Sequence, residues 1–183
     1  MREIVERAMH GDREAFGVIV GRTIDRLYTM ATRILRDTDL AEDAVQSALI
    51  TAWGHLPGLR DPDRFEAWAR KLVLRACFEE SNKRKRWAAN VRRLEIEDAD
   101  ARDDYLSVVD RDALDRAFRR LSVDQRAVFV LHHHVGLRLT EIAEALDIPA
   151  GTARSRLHYA TRALEVVAGE ETRPNDQKQE LPA

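Results

Sequence analysis

The sequence has a single cysteine, few aromatic residues and no long apolar run. Aromatic residues make up 6% of its 183 residues. Cys77 alone cannot form an intramolecular disulfide, which excludes a disulfide-stabilised secreted scaffold. No segment approaches the roughly 18 consecutive apolar residues of a membrane-spanning helix, and the charged N-terminal residues lack the apolar centre of a signal peptide. We therefore expect a cytoplasmic protein.

The sequence also lacks a large net charge. The 30 Lys and Arg residues nearly balance the 32 Asp and Glu residues, and this total of −2 argues against a simple basic nucleic-acid-binding protein. The charges are nevertheless segregated, because Lys83–Arg86 form a basic cluster and acidic residues dominate between Leu94 and Asp115. The hydrophobic fraction of 44%, poor in aromatics, predicts a core of Leu, Ala, Val and Ile. This composition suits helices and excludes a β-sandwich or a fully disordered chain.

Apolar residues recur at spacings of three and four almost throughout the chain, which predicts an all-α fold. The first long helix spans Asp12 to Arg36, a second begins at Asp39 with Glu42 completing a capping box, and a third begins at Asp61-Pro62 and ends in the basic cluster Lys83–Arg86. A second capping box, from Ser122 to Gln125, begins a helix further along the chain. We predict two small helical domains, 1–93 and 113–168. A flexible acidic linker, 94–112, joins them, and a disordered tail, 169–183, follows.

The second domain contains the pattern of a DNA-reading helix-turn-helix between Thr140 and Leu157. Ala143 is small where the two helices cross, and Asp147 occupies the turn position that needs a left-handed conformation. Isolated arginines on a surface helix usually only form part of a solvent-exposed face. Here the arginines lie on the second helix of a tight-turn pair, which favours DNA binding. The predicted DNA-facing residues are Thr152, Arg154, Ser155, Arg156, His158, Tyr159 and Arg162.

Both domains resemble parts of bacterial sigma factors of the extracytoplasmic-function (ECF) group. The N-terminal resemblance to region 2 rests on the run from Asp39 to Gln46, on Phe65-Glu66-Ala67-Trp68 and on the basic cluster Lys83–Arg86. The resemblance to region 4 rests on Leu121-Ser122, Gln125-Arg126 and the run from Ile148 to Leu157. The two resemblances together cover about residues 5–166. Arg75 departs from the Asn that is frequent in the family.

The resemblance implies a transcription initiation factor that binds core RNA polymerase, directs it to promoters and assists promoter melting. An acidic surface would dock on the clamp helices of the largest polymerase subunit, and its residues here are Asp39, Glu42, Asp43 and Gln46. The recognition helix would read the −35 element. A loop and a basic helix would bind the −10 element through His55, Arg60, Arg64, Arg70, Lys71, Arg75, Lys83, Arg84, Lys85 and Arg86. An anti-sigma factor is a further expected partner.

The remaining reactive residues do not indicate catalysis. Consecutive helical residues point about 100° apart, so His132, His133 and His134 do not converge on one metal ion. Cys77 lies on an apolar stripe, and the sequence has no glycine-rich phosphate loop. We predict no enzymatic activity, metal, cofactor or small-molecule substrate. Two alternatives stay open, namely a self-sufficient helix-turn-helix regulator with an N-terminal dimerisation or sensing module, and an interaction protein without a DNA role.

Overall fold

The computed structural model describes residues 1–94 and 113–171. All of the predicted linker except Leu94, and the tail from residue 172 onward, therefore lie outside the described residues. We call residues 1–94 the N-terminal block and residues 113–171 the C-terminal block. The described residues form α-helices and two short 3₁₀ turns, Leu56–Gly58 and Pro62–Arg64, without strands. The helices are α1 (Arg2–Met9), α2 (Arg13–Leu35), α3 (Thr38–His55), α4 (Phe65–Leu94), α5 (Ala113–Arg120), α6 (Val123–His133), α7 (Leu139–Leu146) and α8 (Ala150–Glu171).

Acidic N-caps fix the starts of the helices in the N-terminal block. The Asp12 carboxylate accepts a hydrogen bond of 3.0 Å from the backbone N–H of Ala15 at the start of α2. The predicted cap of α3 was wrong, since Asp37 rather than Asp39 accepts from the N–H groups of Asp39 and Leu40. Asp37 has the extended backbone that an N-cap needs, whereas Asp39 is already helical. The Asp39 side chain is consequently exposed on the first turn.

The third long helix extends further than the sequence analysis indicated. Asp61 accepts from the N–H of Asp63 and caps the turn Pro62–Arg64, which continues directly into α4. The helix does not end at the basic cluster Lys83–Arg86 but runs on to Leu94. The cluster therefore lies within a regular helix, which spaces its four cations around the helical axis rather than on one face.

Each block has a core of mainly aliphatic side chains. In the N-terminal block, α1–α4 bury Ile19, Met30, Ile34, Phe65 and Leu74 among others. The face of α3 that packs inward consists of small residues, which allows α4 to approach closely; they are Ala41, Ala44, Val45, Ala48 and Ala52. In the C-terminal block, α8 packs on α5, α6 and α7.

The two blocks pack against each other, a relationship that the sequence analysis did not address. Helix α6 contacts α2, and α7 contacts α4. The buried Arg126 of α6 donates from Nε to the carbonyl oxygen of Ile34 in α2 at 2.6 Å. Lys71 of α4 forms an ion pair of 3.3 Å with Glu144 of α7. We call this arrangement the closed arrangement.

Candidate nucleic-acid and polymerase interfaces

The turn between α7 and α8 has the geometry of a helix-turn-helix. Asp147 ends α7 in the left-handed region, with φ 54° and ψ 49°, as predicted from its place in the turn. The N–H of Ile148 donates to the carbonyl of Ala143 at 3.0 Å, which closes the turn. The Pro149 carbonyl accepts from the N–H groups of Thr152 and Ala153 and so begins the next helix. The turn thereby fixes the direction of α8.

Helix α8 buries one face and presents a polar and cationic face to solvent. Ala153, Ala160 and Leu164 are buried. Of the predicted DNA-facing side chains, five are exposed: Arg154, Ser155, His158, Tyr159 and Arg162. Tyr159 is 63% exposed although it is large and aromatic. These side chains form a continuous surface that can reach base edges and phosphates in a major groove.

Thr152 and Arg156 lie at the edge of this surface. Thr152 is half-buried, and its carbonyl oxygen accepts from the Ser155 hydroxyl at 3.0 Å. Arg156 is also half-buried and forms an ion pair of 2.9 Å with Asp124 in α6. That ion pair directs the Arg156 side chain toward α6. We therefore expect its contribution to DNA binding to differ from that of the exposed arginines.

The residues predicted for −10 recognition are not all on one surface. His55, at the end of α3, is exposed and bonds through Nδ1 with the carbonyl of Thr51 at 2.9 Å. Arg60 and Arg64, in the connection to α4, are also exposed. These three residues lie in or beside the two 3₁₀ turns. The buried side chains of Leu56 and Pro62 hold the turns in place.

In the middle of α4, part of the predicted DNA surface faces α7. Lys71 and Arg75 line a groove together with Glu144 and Asp147. Arg70 is half-buried, and this burial lowers its pKa, whereas the nearby Glu66 raises it. In the closed arrangement α7 thus provides anionic partners for cations that were predicted to bind phosphates.

The basic cluster at residues 83–86 divides between paired and unpaired cations. Lys83 pairs with Glu80 at 2.7 Å, a contact that raises the pKa of Lys83. Arg84 pairs with Asp37, the N-cap of α3, at 2.6 Å. Lys85 and Arg86 are exposed and have no ion pair within the described part of the chain. Trp87, which the sequence analysis did not single out, follows them and is 69% exposed.

The four residues predicted to bind polymerase are brought together on α3. Asp39, Glu42, Asp43 and Gln46 are all exposed, opposite the buried alanines of the same helix. None of the three acids has an ion pair among residues 1–94 and 113–171. Ile50 follows on the same face and is 70% exposed. It was not singled out from the sequence, because it carries no charge and belongs to no recognised motif.

His132, His133 and Cys77 are engaged in hydrogen bonding or packing within the fold. His132 bonds through Nδ1 with the carbonyl of Leu137 at 3.0 Å, and the His133 ring packs on Phe129. Burial lowers the pKa of His133, and the neighbouring His132 adds to this effect. Burial raises the pKa of Cys77 to about 12, which disfavours its thiolate. In the part of the chain that the structure covers, no helix is long and apolar enough to cross a membrane.

The helix-turn-helix, the second helical block and the exposed charged faces define a bipartite, all-α DNA-binding protein. The family description "Sigma-70 region 2" matches residues 19–87, and "Sigma-70, region 4" matches residues 111–164. The chain belongs to the sigma-70 family of RNA polymerase sigma factors, in its ECF group. It is an alternative sigma factor that binds core RNA polymerase and promoter DNA, and a self-sufficient regulator is not favoured.

Similar proteins cover most of the chain. The "RNA polymerase sigma-E factor" of Streptomyces avermitilis is 31% identical over 155 residues, which is 85% of this chain and 86% of that protein. The "ECF RNA polymerase sigma factor SigL" of Mycobacterium tuberculosis is 31% identical over 147 residues, 79% of this chain and 83% of that protein.

Solved structures share the fold. The sigma factor RpoE in complex with the anti-sigma factor NepR from Bartonella quintana superimposes with a TM-score of 0.66 and 24% identity, over 84% of this chain and 96% of that one. CnrH in complex with the cytosolic domain of CnrY gives a TM-score of 0.65 with 23% identity, over 93% and 98% of the two chains.

Proposed function

We propose that the two blocks of this sigma factor divide recognition of the promoter between them. The C-terminal block reads the −35 element through α8. The N-terminal block binds the −10 element through the α3–α4 connection and the cations of α4, assists melting there, and docks on core RNA polymerase through α3. The functional units are residues 1–93 and 113–168, with 94–112 as the linker between them. The protein acts in the cytoplasm as an initiation factor and not as an enzyme.

The observation that carries the proposal is the exposed cationic face of α8 after a helix-turn-helix turn. Arg154 and Arg162 project from a helix whose other face is anchored by Ala153, Ala160 and Leu164. An arginine fork binds the N7 and O6 atoms of guanine in the major groove, and further cations bind phosphates. The same helix therefore supplies both sequence reading and positioning.

Binding to both promoter elements requires the closed arrangement to open. The −10 and −35 elements are separated by about 25 base pairs, or about 85 Å of duplex at 3.4 Å per base pair. In the closed arrangement Arg126 and Ile34 are in direct contact across the two blocks. The eighteen residues between Leu94 and Ala113 span at most about 65 Å, which suffices once the blocks separate because each block adds its own width. Opening also frees Lys71 from Glu144.

An anti-sigma factor is part of the proposal. RpoE and CnrH, which share this fold, were solved in complexes with an anti-sigma factor and with the cytosolic domain of CnrY, respectively. For this chain we propose a comparable protein partner, which binds it and prevents it from binding core polymerase. Its binding would be detected as loss of transcription that added core enzyme restores by competition.

Run-off transcription tests the proposed function. The full-length protein is added to core RNA polymerase on fragments of genomic DNA, and the transcripts give the promoter sequence. We expect promoter-dependent transcripts only when both proteins are present, and little specific duplex binding by the free protein in gel shifts. Tight promoter binding by the protein alone, unchanged by polymerase, would contradict the proposal and support a self-sufficient regulator.

A further inference from the structure

One exposed row of side chains runs along the outer face of α3. Its members are Asp39, Asp43, Gln46 and Ile50, separated by four, three and four residues. At 3.6 residues per turn these four positions fall within a sector of roughly 60°. We call this row the α3 seam. All four side chains are exposed, and the C-terminal block packs on α2 and α4.

Ile50 is the unusual member of the α3 seam. It is 70% exposed, the largest exposed fraction of any large hydrophobic side chain among residues 1–94 and 113–171. The neighbouring positions Ala48 and Ala52 are buried and form part of the core-facing side of α3. Ile50 is not part of that side. A large apolar side chain at one end of a polar row can serve as the aliphatic anchor of an interface.

The spacing of the α3 seam suits a helical partner. Alternating steps of four and three residues are those of side chains that pack against a single helix crossing at about 20°. At one end, Asp39 and Asp43 only accept hydrogen bonds and Gln46 both donates and accepts, so a complementary partner carries donors or cations there. The two acids of the seam have no ion pair within the described residues, although Asp43 lies close enough to Lys83 to add to the rise in pKa that Glu80 causes, so both carboxylates are available to cations of a partner.

We propose that Ile50 is the apolar anchor of the polymerase docking surface and inserts into an apolar hole on a helix of core RNA polymerase. The acidic end of the seam then pairs with cations on the same helix. This inference rests on the proposed docking role of α3 and adds to it a residue outside the acidic set. The acids steer association and set orientation, while burial of Ile50 lengthens the lifetime of the complex.

The test measures affinity for core polymerase with the full-length protein labelled at its N-terminus, by fluorescence anisotropy. We expect Ile50→Ser to weaken binding by about tenfold or more through a faster dissociation rate, and Ile50→Leu to restore most of it. Val18→Ser is the matched control, because Val18 is 46% exposed on α2 and lies outside the seam. It should leave the affinity unchanged.

Asp43→Lys separates failure of the anchor from failure of the docking surface. If Asp43→Lys weakens binding and Ile50→Ser does not, the anchor is wrong and the docking surface stands. If neither variant weakens binding, the proposed role of α3 fails as well. A change in sedimentation of Ile50→Ser without a change in affinity would assign the seam to a second copy of this chain. Loss of helical circular dichroism in both Ile50→Ser and Ile50→Lys would assign Ile50 to folding and overturn the proposal.

Discussion

Arg126 of α6 donates a hydrogen bond of 2.6 Å from Nε to the carbonyl oxygen of Ile34, 92 positions earlier in the chain. Ile34 lies in the last turn of α2, where carbonyl groups lack intrahelical partners and the helix dipole favours a cation. Burial lowers the pKa of Arg126, and the nearby Arg36 lowers it further, but a guanidinium stays protonated at neutral pH. A charged side chain of one block thus caps a helix of the other.

Replacing Arg126 should loosen the closed arrangement. Arg126→Met keeps much of the apolar stem but removes the donors to Ile34 and Arg119. Hydrogen bonds from charged groups contribute about 1.5–3 kcal/mol, so we expect the blocks to separate in a larger fraction of molecules. Small-angle scattering should record a larger radius of gyration. Arg13→Met, an exposed arginine on α2, is the control, and equal radii for the two variants would contradict the prediction.

The ion pair between Lys71 and Glu144 should make a smaller and salt-sensitive contribution to the same contact. Both side chains are more than a third exposed, and such pairs contribute about 0.2–1 kcal/mol. Lys71→Glu and Glu144→Lys should each shift the closed fraction by up to about fivefold, and the double variant should restore it. Energy transfer between dyes on the two blocks measures this fraction. Shifts that persist unchanged in about 1 M salt would argue against an electrostatic origin.

Features that depend on neighbouring residues could be predicted from the sequence. The capping box of Ser122 and Gln125 was confirmed, with hydrogen bonds of 3.2 and 2.9 Å, because both partners lie within one helical turn. The left-handed Asp147 was confirmed for the same reason. Asp37 and Asp39 could not be ranked as caps, since the two aspartates stand two residues apart and only the backbone conformation distinguishes them.

Features that depend on distant residues could not be predicted. Periodicity separates the exposed face of α8 from its buried face, but it does not show that Arg156 reaches Asp124 or that Lys71 reaches Glu144. These partners lie 32 and 73 positions apart and meet only through the packing of whole helices. Ile50 was not recognised as an interface residue for a related reason, because helical spacing identifies faces without stating which face the rest of the protein covers.

Arg154 and Arg156 should affect transcription differently. Arg154 is exposed on the DNA-facing side of α8, so Arg154→Ala should reduce initiation at promoters with a −35 element by about 1–3 kcal/mol, or roughly 5- to 150-fold. Arg156 is held by Asp124, so we expect Arg156→Ala to have a smaller effect on sequence preference. Run-off assays on a promoter and on single-base variants of its −35 element measure both. Identical losses on every template would indicate phosphate contact rather than base reading by Arg154.

Asp147 should be sensitive to the shape of its replacement. Its φ of 54° is left-handed, a conformation that Asn and Gly tolerate but that costs β-branched residues about 1–2 kcal/mol or more. Asp147→Val should therefore lower the free energy of unfolding, whereas Asp147→Asn and Asp147→Gly should not. Chemical denaturation followed by circular dichroism measures the three variants. A Val variant as stable as the Asn variant would show that the turn has another way to form.

The buried thiol of Cys77 should make stability depend on alkaline pH. Burial raises its pKa to about 12 from the usual 9.0, so above pH 9 the unfolded chain loses this proton while the folded protein keeps it. The stabilisation is fully present below pH 9 and is lost as the pH rises toward 12, at up to about 1.4 kcal/mol per pH unit. The free energy of unfolding, measured by urea denaturation between pH 8 and 11, should fall more steeply for the native chain than for Cys77→Ala. The comparison of slopes removes the shared titration of lysines and tyrosines, so equal slopes would show that the thiol ionises as readily in the folded protein as in the unfolded chain.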